Sequence, residues 1–86
     1  MNYTLPELLR DDYDNIGNEN DEQLIIDEMN KLSQIINSNN ANIREFSYFY
    51  RSYLTMDKWL NLTTRKKNDK LYKEISRFVK KFAYLL

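Results

Sequence analysis

Residues 65–84 read RKKNDKLYKEISRFVKKFAY. This stretch decides the fold, because its apolar and its basic residues each recur with the period of a helix. An α-helix turns about 100° per residue, so residues three or four apart share a face. Apolar residues recur at this spacing, and basic residues recur nearly opposite them. The apolar series is Leu71, Ile75, Phe78, Phe82 and Leu85, and the basic series is Lys66, Lys70, Lys73, Arg77, Lys80 and Lys81. The pattern predicts an amphipathic helix with one buried face.

Two capping-box patterns mark the starts of other helices. Thr4 and Glu7 have the spacing in which an N-cap side chain and a glutamate three residues later satisfy each other's backbone N–H groups, and Asn42 and Glu45 repeat it. Nothing in the chain alternates as a strand would. We therefore predict an all-α protein, a small antiparallel bundle of three to four helices, formed by residues 1–86 as a single domain. The predicted helices span about residues 5–13, 21–38, 43–62 and 65–84. A start of the last helix after Asn68 as its cap is the alternative, because cations at residues 65–67 would oppose the helix dipole.

The third predicted helix carries two distinct faces. The first, predicted to face the core, consists of Ile43, Phe46, Phe49, Tyr50, Tyr53, Leu54 and Leu60, and the second of Tyr48, Ser52, Thr55 and Trp59. If the second face is exposed, Tyr48 and Trp59 with Arg51 would suit a protein interface, because Tyr, Trp and Arg dominate binding hot spots. Alternatively, the first helix buries its leucines against that face.

The composition excludes several kinds of chemistry. The chain has no His and no Cys, so Ser-His-Asp and Cys-His catalysis, disulfides and the usual zinc sites are excluded. One Gly excludes a P-loop or a dinucleotide-binding loop. Asp12, Asp14 and Gly17 match part of an EF-hand loop, but Ile16 has no side-chain oxygen to offer, and Gln23 cannot supply the bidentate carboxylate that the last position needs. We predict no enzyme, no catalytic residue, no cofactor and no metal.

The formal net charge of zero conceals a strong asymmetry. Residues 1–43 contain nine acids and two bases, whereas residues 44–86 contain four acids and eleven bases. The halves can cancel each other inside the fold, or the basic half can meet a partner. The candidate partner-binding residues are Lys66, Lys70, Lys73, Arg77 and Lys80, together with Tyr48, Arg51 and Trp59. A homodimer that joins one chain's acidic half to another's basic half is a further possibility.

The first residues, MNYTLPELLRDD, show neither the basic flank nor the apolar core of a secretory signal. No apolar run approaches the ~18 residues that span a bilayer. We therefore expect a cytoplasmic protein without a membrane span.

The stretch from residue 42 to residue 82 resembles the class II bacteriocin immunity proteins. The similar features are a capped helix rich in Tyr and Phe (IREFSYFYRSYL), the turn WLNLTT, and a charged last helix (NDKLYKEISRFVKKF). The resemblance implies a small cytosolic helical protein that protects a producer cell by binding a membrane receptor complex occupied by the bacteriocin. The chain departs from the family in lacking a flexible tail after the last helix.

These observations predict a protein that works by stoichiometric binding of another protein, as an immunity protein or a phage-type inhibitor of a host enzyme would. The alternative is nucleic-acid binding through the basic last helix, because a row of cations also attracts a phosphate backbone.

Overall fold

The computed structural model describes residues 4–10 and 19–86, and within these ranges the chain forms four α-helices and no strand. The predicted small all-α bundle is confirmed. A short 3₁₀ turn, Ala83–Leu85, follows the last helix. The helices are α1 (Leu5–Arg10), α2 (Glu19–Asn37), α3 (Ile43–Leu62) and α4 (Lys70–Phe82).

The starts of α1 and α3 agree with the capping patterns. In α3, the Asn42 side chain accepts from the Glu45 N–H at 2.8 Å, and the Glu45 carboxylate accepts from the Asn42 N–H at 3.1 Å. In α1, the Glu7 carboxylate accepts from the Thr4 N–H at a longer 3.5 Å. Two predictions lie outside the described residues: the continuation of the first helix through residues 11–13, and the loop with the partial EF-hand pattern.

The last helix starts later than predicted. It begins at Lys70 instead of about residue 65, and Asp69 is its N-cap, accepting from the N–H groups of Leu71 and Tyr72. The preceding residues therefore form a connection, and Arg65 and Lys66 lie outside the helix. An acidic cap favours this start, because the N-terminus of a helix attracts negative charge and repels the cations of an RKK run.

One cluster of buried side chains joins all four helices. At its centre the Phe49 ring contacts the rings of Phe78 and Phe82, with centroids 5.8 and 5.4 Å apart. Further along, Trp59 contacts Tyr72 at 6.2 Å. The start of α3 thus meets the end of α4 and the end of α3 meets the start of α4, so the two helices are antiparallel. Such aromatic pairs add about 0.5–1.5 kcal/mol each beyond their buried area.

The predicted core face of α3 is partly wrong. Phe49 and Tyr53 are buried, but Ile43, Phe46, Tyr50 and Leu54 are exposed. The buried face is rotated toward the second face and consists of Phe49, Ser52, Tyr53, Met56 and Trp59. The reason is that α1 and α4 both pack on that side of α3. Within residues 4–10 and 19–86 no element covers the opposite side of α3 closely enough to bury these four side chains.

The corrected face of α3 gives the first prediction. We expect Phe49→Ala to lower the free energy of unfolding by about 3–5 kcal/mol, because it removes the ring that contacts both Phe78 and Phe82. The adjacent Tyr50→Ala, on the exposed side, should cost about 1 kcal/mol or less. Urea denaturation followed by circular dichroism measures both, and equal losses would contradict the assignment of faces.

Candidate functional site

The basic residues of α4 lie on one exposed face, which we call the cationic face: Lys70, Lys73, Arg77, Lys80 and Lys81. The opposite side of the helix is buried through Leu71, Ile75, Phe78 and Phe82. Lys66 and Lys67, in the connection before α4, are exposed as well. Of the predicted lysines, Lys70, Lys73 and Lys80 therefore share a helix face with Arg77, whereas Lys66 only precedes it.

The cationic face is not neutralised by the acidic first half within residues 4–10 and 19–86. Of its five residues only Arg77 makes an ion pair, to Glu74 of the same helix at 3.2 Å, and the Arg77 side chain is 72% exposed. Lys81 lies over the Phe82 ring, with its Nζ 5.3 Å from the centroid. Exposed pairs of this kind contribute about 0–1 kcal/mol and are easily exchanged for a ligand's charge.

A shallow concavity of about 420 Å³ runs along one edge of the cationic face. It is open to solvent, and its lining combines cations with a hydroxyl and an aromatic ring. The lining residues are Lys67, Tyr72, Lys73, Ser76, Arg77 and Lys80. Tyr72 is held in place because its ring packs against Trp59. An open, positively charged groove is suited to an anionic surface of another molecule rather than to an enclosed small substrate.

Tyr48 and Trp59 are not the exposed anchors that the first alternative required. Trp59 is completely buried, and the half-buried Tyr48 accepts a hydrogen bond at its hydroxyl from the Leu5 N–H at 3.0 Å. This bond ties the first turn of α1 to α3, so α1 meets this face at Tyr48, as the second alternative predicts. The Trp59 ring is contacted by Tyr72 of α4 and by Arg65. Arg51 is exposed on another part of α3.

Arg65 has a structural role that sequence reasoning missed. Its guanidinium donates to Glu22 of α2 at 2.9 Å and to Asp69, the N-cap of α4, at 3.0 Å. It also lies 6.0 Å from the ring centroid of Trp59 in α3, within cation–π range. One side chain, 15% exposed, thus connects three helices. The four-residue spacing from Arg65 to Asp69 was the signal available for this ion pair in the sequence. The composition of the RKK run does not show which of its three cations points inward.

Electrostatics around this connection shift two pKa values. Burial alone would raise the pKa of Asp69, but the N–H groups of Tyr72 and Leu71 and the Arg65 guanidinium outweigh it, so the pKa is lowered. Burial would lower the pKa of Arg65, but its bonds to Glu22 and Asp69 raise it. Both groups are therefore held in their charged forms.

The described part of the chain offers neither a metal site nor a membrane-spanning helix. No group of three or more His, Cys, Asp or Glu side chains there is arranged to hold a metal ion. None of the helices described combines the length and the apolar character that crossing a bilayer demands. Comparisons with protein-family models, curated proteins and solved structures found no match.

The Arg65 contacts give the second prediction. We expect Arg65→Gln to lower the free energy of unfolding by about 1.5–3 kcal/mol, because it removes charge-assisted hydrogen bonds at a largely buried position. The matched control is Arg77→Gln, which removes an exposed pair and should cost at most about 0.5 kcal/mol. Thermal and urea unfolding compare them, and similar costs would show that Arg65 is not a connector.

The lowered pKa of Asp69 gives the third prediction. Its charged form stabilises the fold above the unfolded-state pKa of about 3.9, and that contribution is lost as the pH falls through the lower folded-state value. We therefore expect the free energy of unfolding of Asp69→Asn to be lower than that of the wild type at pH about 6. The difference between the two should become smaller below pH about 4. The control Asp57→Asn, at an exposed position of α3, should change the free energy of unfolding at pH about 6 by at most about 0.5 kcal/mol. A difference in free energy of unfolding for Asp69→Asn that stays constant across this pH range would contradict the link between Asp69 ionisation and stability.

Proposed function

We propose that this protein acts without catalysis, by stoichiometric binding of its cationic face to an acidic surface of another protein. The observation that carries the proposal is the row Lys70, Lys73, Arg77 and Lys80, exposed along α4 and without an ion pair to the described acids of the first half. Like-charged side chains on one helix face repel each other, so the row costs stability in the free protein. A partner's carboxylates would relieve that repulsion and speed association.

A protein partner is favoured over nucleic acid by the rest of the charge distribution. Domains that bind nucleic acids are usually strongly basic, whereas this chain has a formal net charge of zero. The cationic face lies on a single helix of 13 residues, which is about 20 Å long. The acidic first half, with nine acids against two bases in residues 1–43, would repel a polyanion that extends beyond this helix. A local acidic patch meets the cations without this repulsion.

The resemblance of the stretch from residue 42 to residue 82 to class II bacteriocin immunity proteins suggests what the partner could be. For an immunity protein it would be a bacteriocin-occupied membrane receptor complex, reached from the cytoplasmic side. For a phage-type inhibitor it would be a host enzyme with an acidic surface. Both place the protein in the cytoplasm, and both require binding through side chains that do not hold the fold together. The cationic face meets this requirement.

The fourth prediction tests this proposal with charge reversals on two different helices. We expect Lys73→Glu/Lys80→Glu to abolish capture of a host protein by the immobilised chain without lowering the urea midpoint, because the reversals relieve repulsion along the row. The control Lys31→Glu reverses an exposed charge on α2 and should retain capture. Affinity purification with quantitative mass spectrometry, repeated at rising salt, measures the difference.

Three outcomes contradict the proposal. Capture that survives Lys73→Glu/Lys80→Glu would show that the cationic face does not bind. Loss in the α2 variant alone would place the binding surface there. Binding that nuclease treatment removes, and that falls steeply with salt on generic DNA or RNA, would establish the nucleic-acid alternative.

A further inference from the structure

The outer side of α3 carries an apolar stripe that nothing in the described chain covers. Ile43 is 87% exposed, and Phe46, Tyr50 and Leu54 are 41%, 43% and 46% exposed. These four residues, which we call the outer stripe, repeat at three- and four-residue spacing and so form one line along the helix. Small proteins seldom expose contiguous apolar groups of this kind without a binding partner.

A ridge of cations borders the outer stripe. Arg44, Arg51 and Lys58 are exposed and follow one another at seven-residue spacing, which is two helical turns. No ion pair links any of the three to another described residue. The outer stripe and the ridge together occupy about four turns of α3, enough to receive a helix of similar length.

We infer that this side of α3 binds an amphipathic helix of another protein, one whose apolar stripe is bordered by acidic residues. The apolar residues would supply the buried contact, and the acidic border would lie along the ridge. Charge complementarity is the reason for specifying acidic residues, because three cations in a row reject a basic border and select its opposite.

A second copy of this chain fits the same surface poorly. If two outer stripes pack antiparallel with Ile43 of one copy against Leu54 of the other, Arg44 of one faces Arg51 of the other. This antiparallel arrangement opposes like charges along the ridge. A parallel pair related by a two-fold axis places the two ridges on opposite borders of the contact, where α3 offers no row of acidic residues. A partner with the opposite charge avoids this cost.

This inference does not depend on the function proposed for α4, because the outer stripe and the cationic face are on different helices. Reversing charges on α4 therefore leaves the α3 surface intact. The two proposals can succeed or fail separately.

The probe is a synthetic helical peptide of about 18 residues with leucines at helical spacing and glutamates on both borders, compared with the same peptide carrying lysines instead. We expect fluorescence anisotropy to show that the full-length protein binds the acidic peptide at least about tenfold more tightly than the basic one. Equal affinities, or no binding of the acidic peptide, would overturn the inference.

Variants assign the binding to this surface. We expect Ile43→Gln/Leu54→Gln to weaken binding of the acidic peptide about tenfold or more. The matched control, Leu62→Gln, changes a leucine of the same helix that is 52% exposed but outside the outer stripe, and it should retain affinity.

Arg51→Glu should reverse the preference between the acidic and the basic peptide, and Lys73→Glu/Lys80→Glu should leave that preference unchanged. An equal loss in Leu62→Gln would overturn the inference, and so would a dimer in light scattering that Leu54→Gln dissociates.

Discussion

The structure depends on the packing of the α4 apolar side chains against Phe49 of α3. The Phe78 and Phe82 rings contact Phe49 and each other, the last pair with centroids 4.9 Å apart. Because a helix has only one such side to bury, this contact also determines what α4 presents to solvent. The cations on its opposite side are exposed as a consequence of the core, and a function that uses them does not compete with folding.

The start of α4 is fixed by a second set of contacts around Arg65. That side chain joins Glu22, the Trp59 ring and the Asp69 cap, so the connection before α4 is anchored to two other helices. Three consecutive basic residues consequently have different roles. Arg65 contributes to the fold, while Lys66 and Lys67 are exposed and extend the positive charge that α4 carries. The different roles follow from where the three residues lie in the fold, since all three carry the same charge.

Local signals predicted much of the fold. The Asn42–Glu45 capping box and the period of α4 depend on neighbouring residues only, and both are present as expected. The buried side of α3 could not be read from periodicity, because apolar residues surround much of that helix and the choice is made by where α1 and α4 dock. For the same reason the exposure of Trp59 was an open question in the sequence. The side chain is buried, and Tyr72 of α4 and the Arg65 guanidinium lie against its ring. The exposure of the α4 cations was predictable, because a strongly amphipathic helix can bury only its apolar side.

Lysine-selective chemical labelling of the native protein, read residue by residue by mass spectrometry, tests most directly whether the cationic side of α4 is free. If it is, Lys70, Lys73 and Lys80 will react as fast in the folded protein as in the urea-unfolded chain, and raising the salt will not change their rates. Slow labelling of these three lysines that salt or unfolding relieves would mean that they are held in ion pairs by the chain itself. The account of α4 as a binding surface would then be wrong.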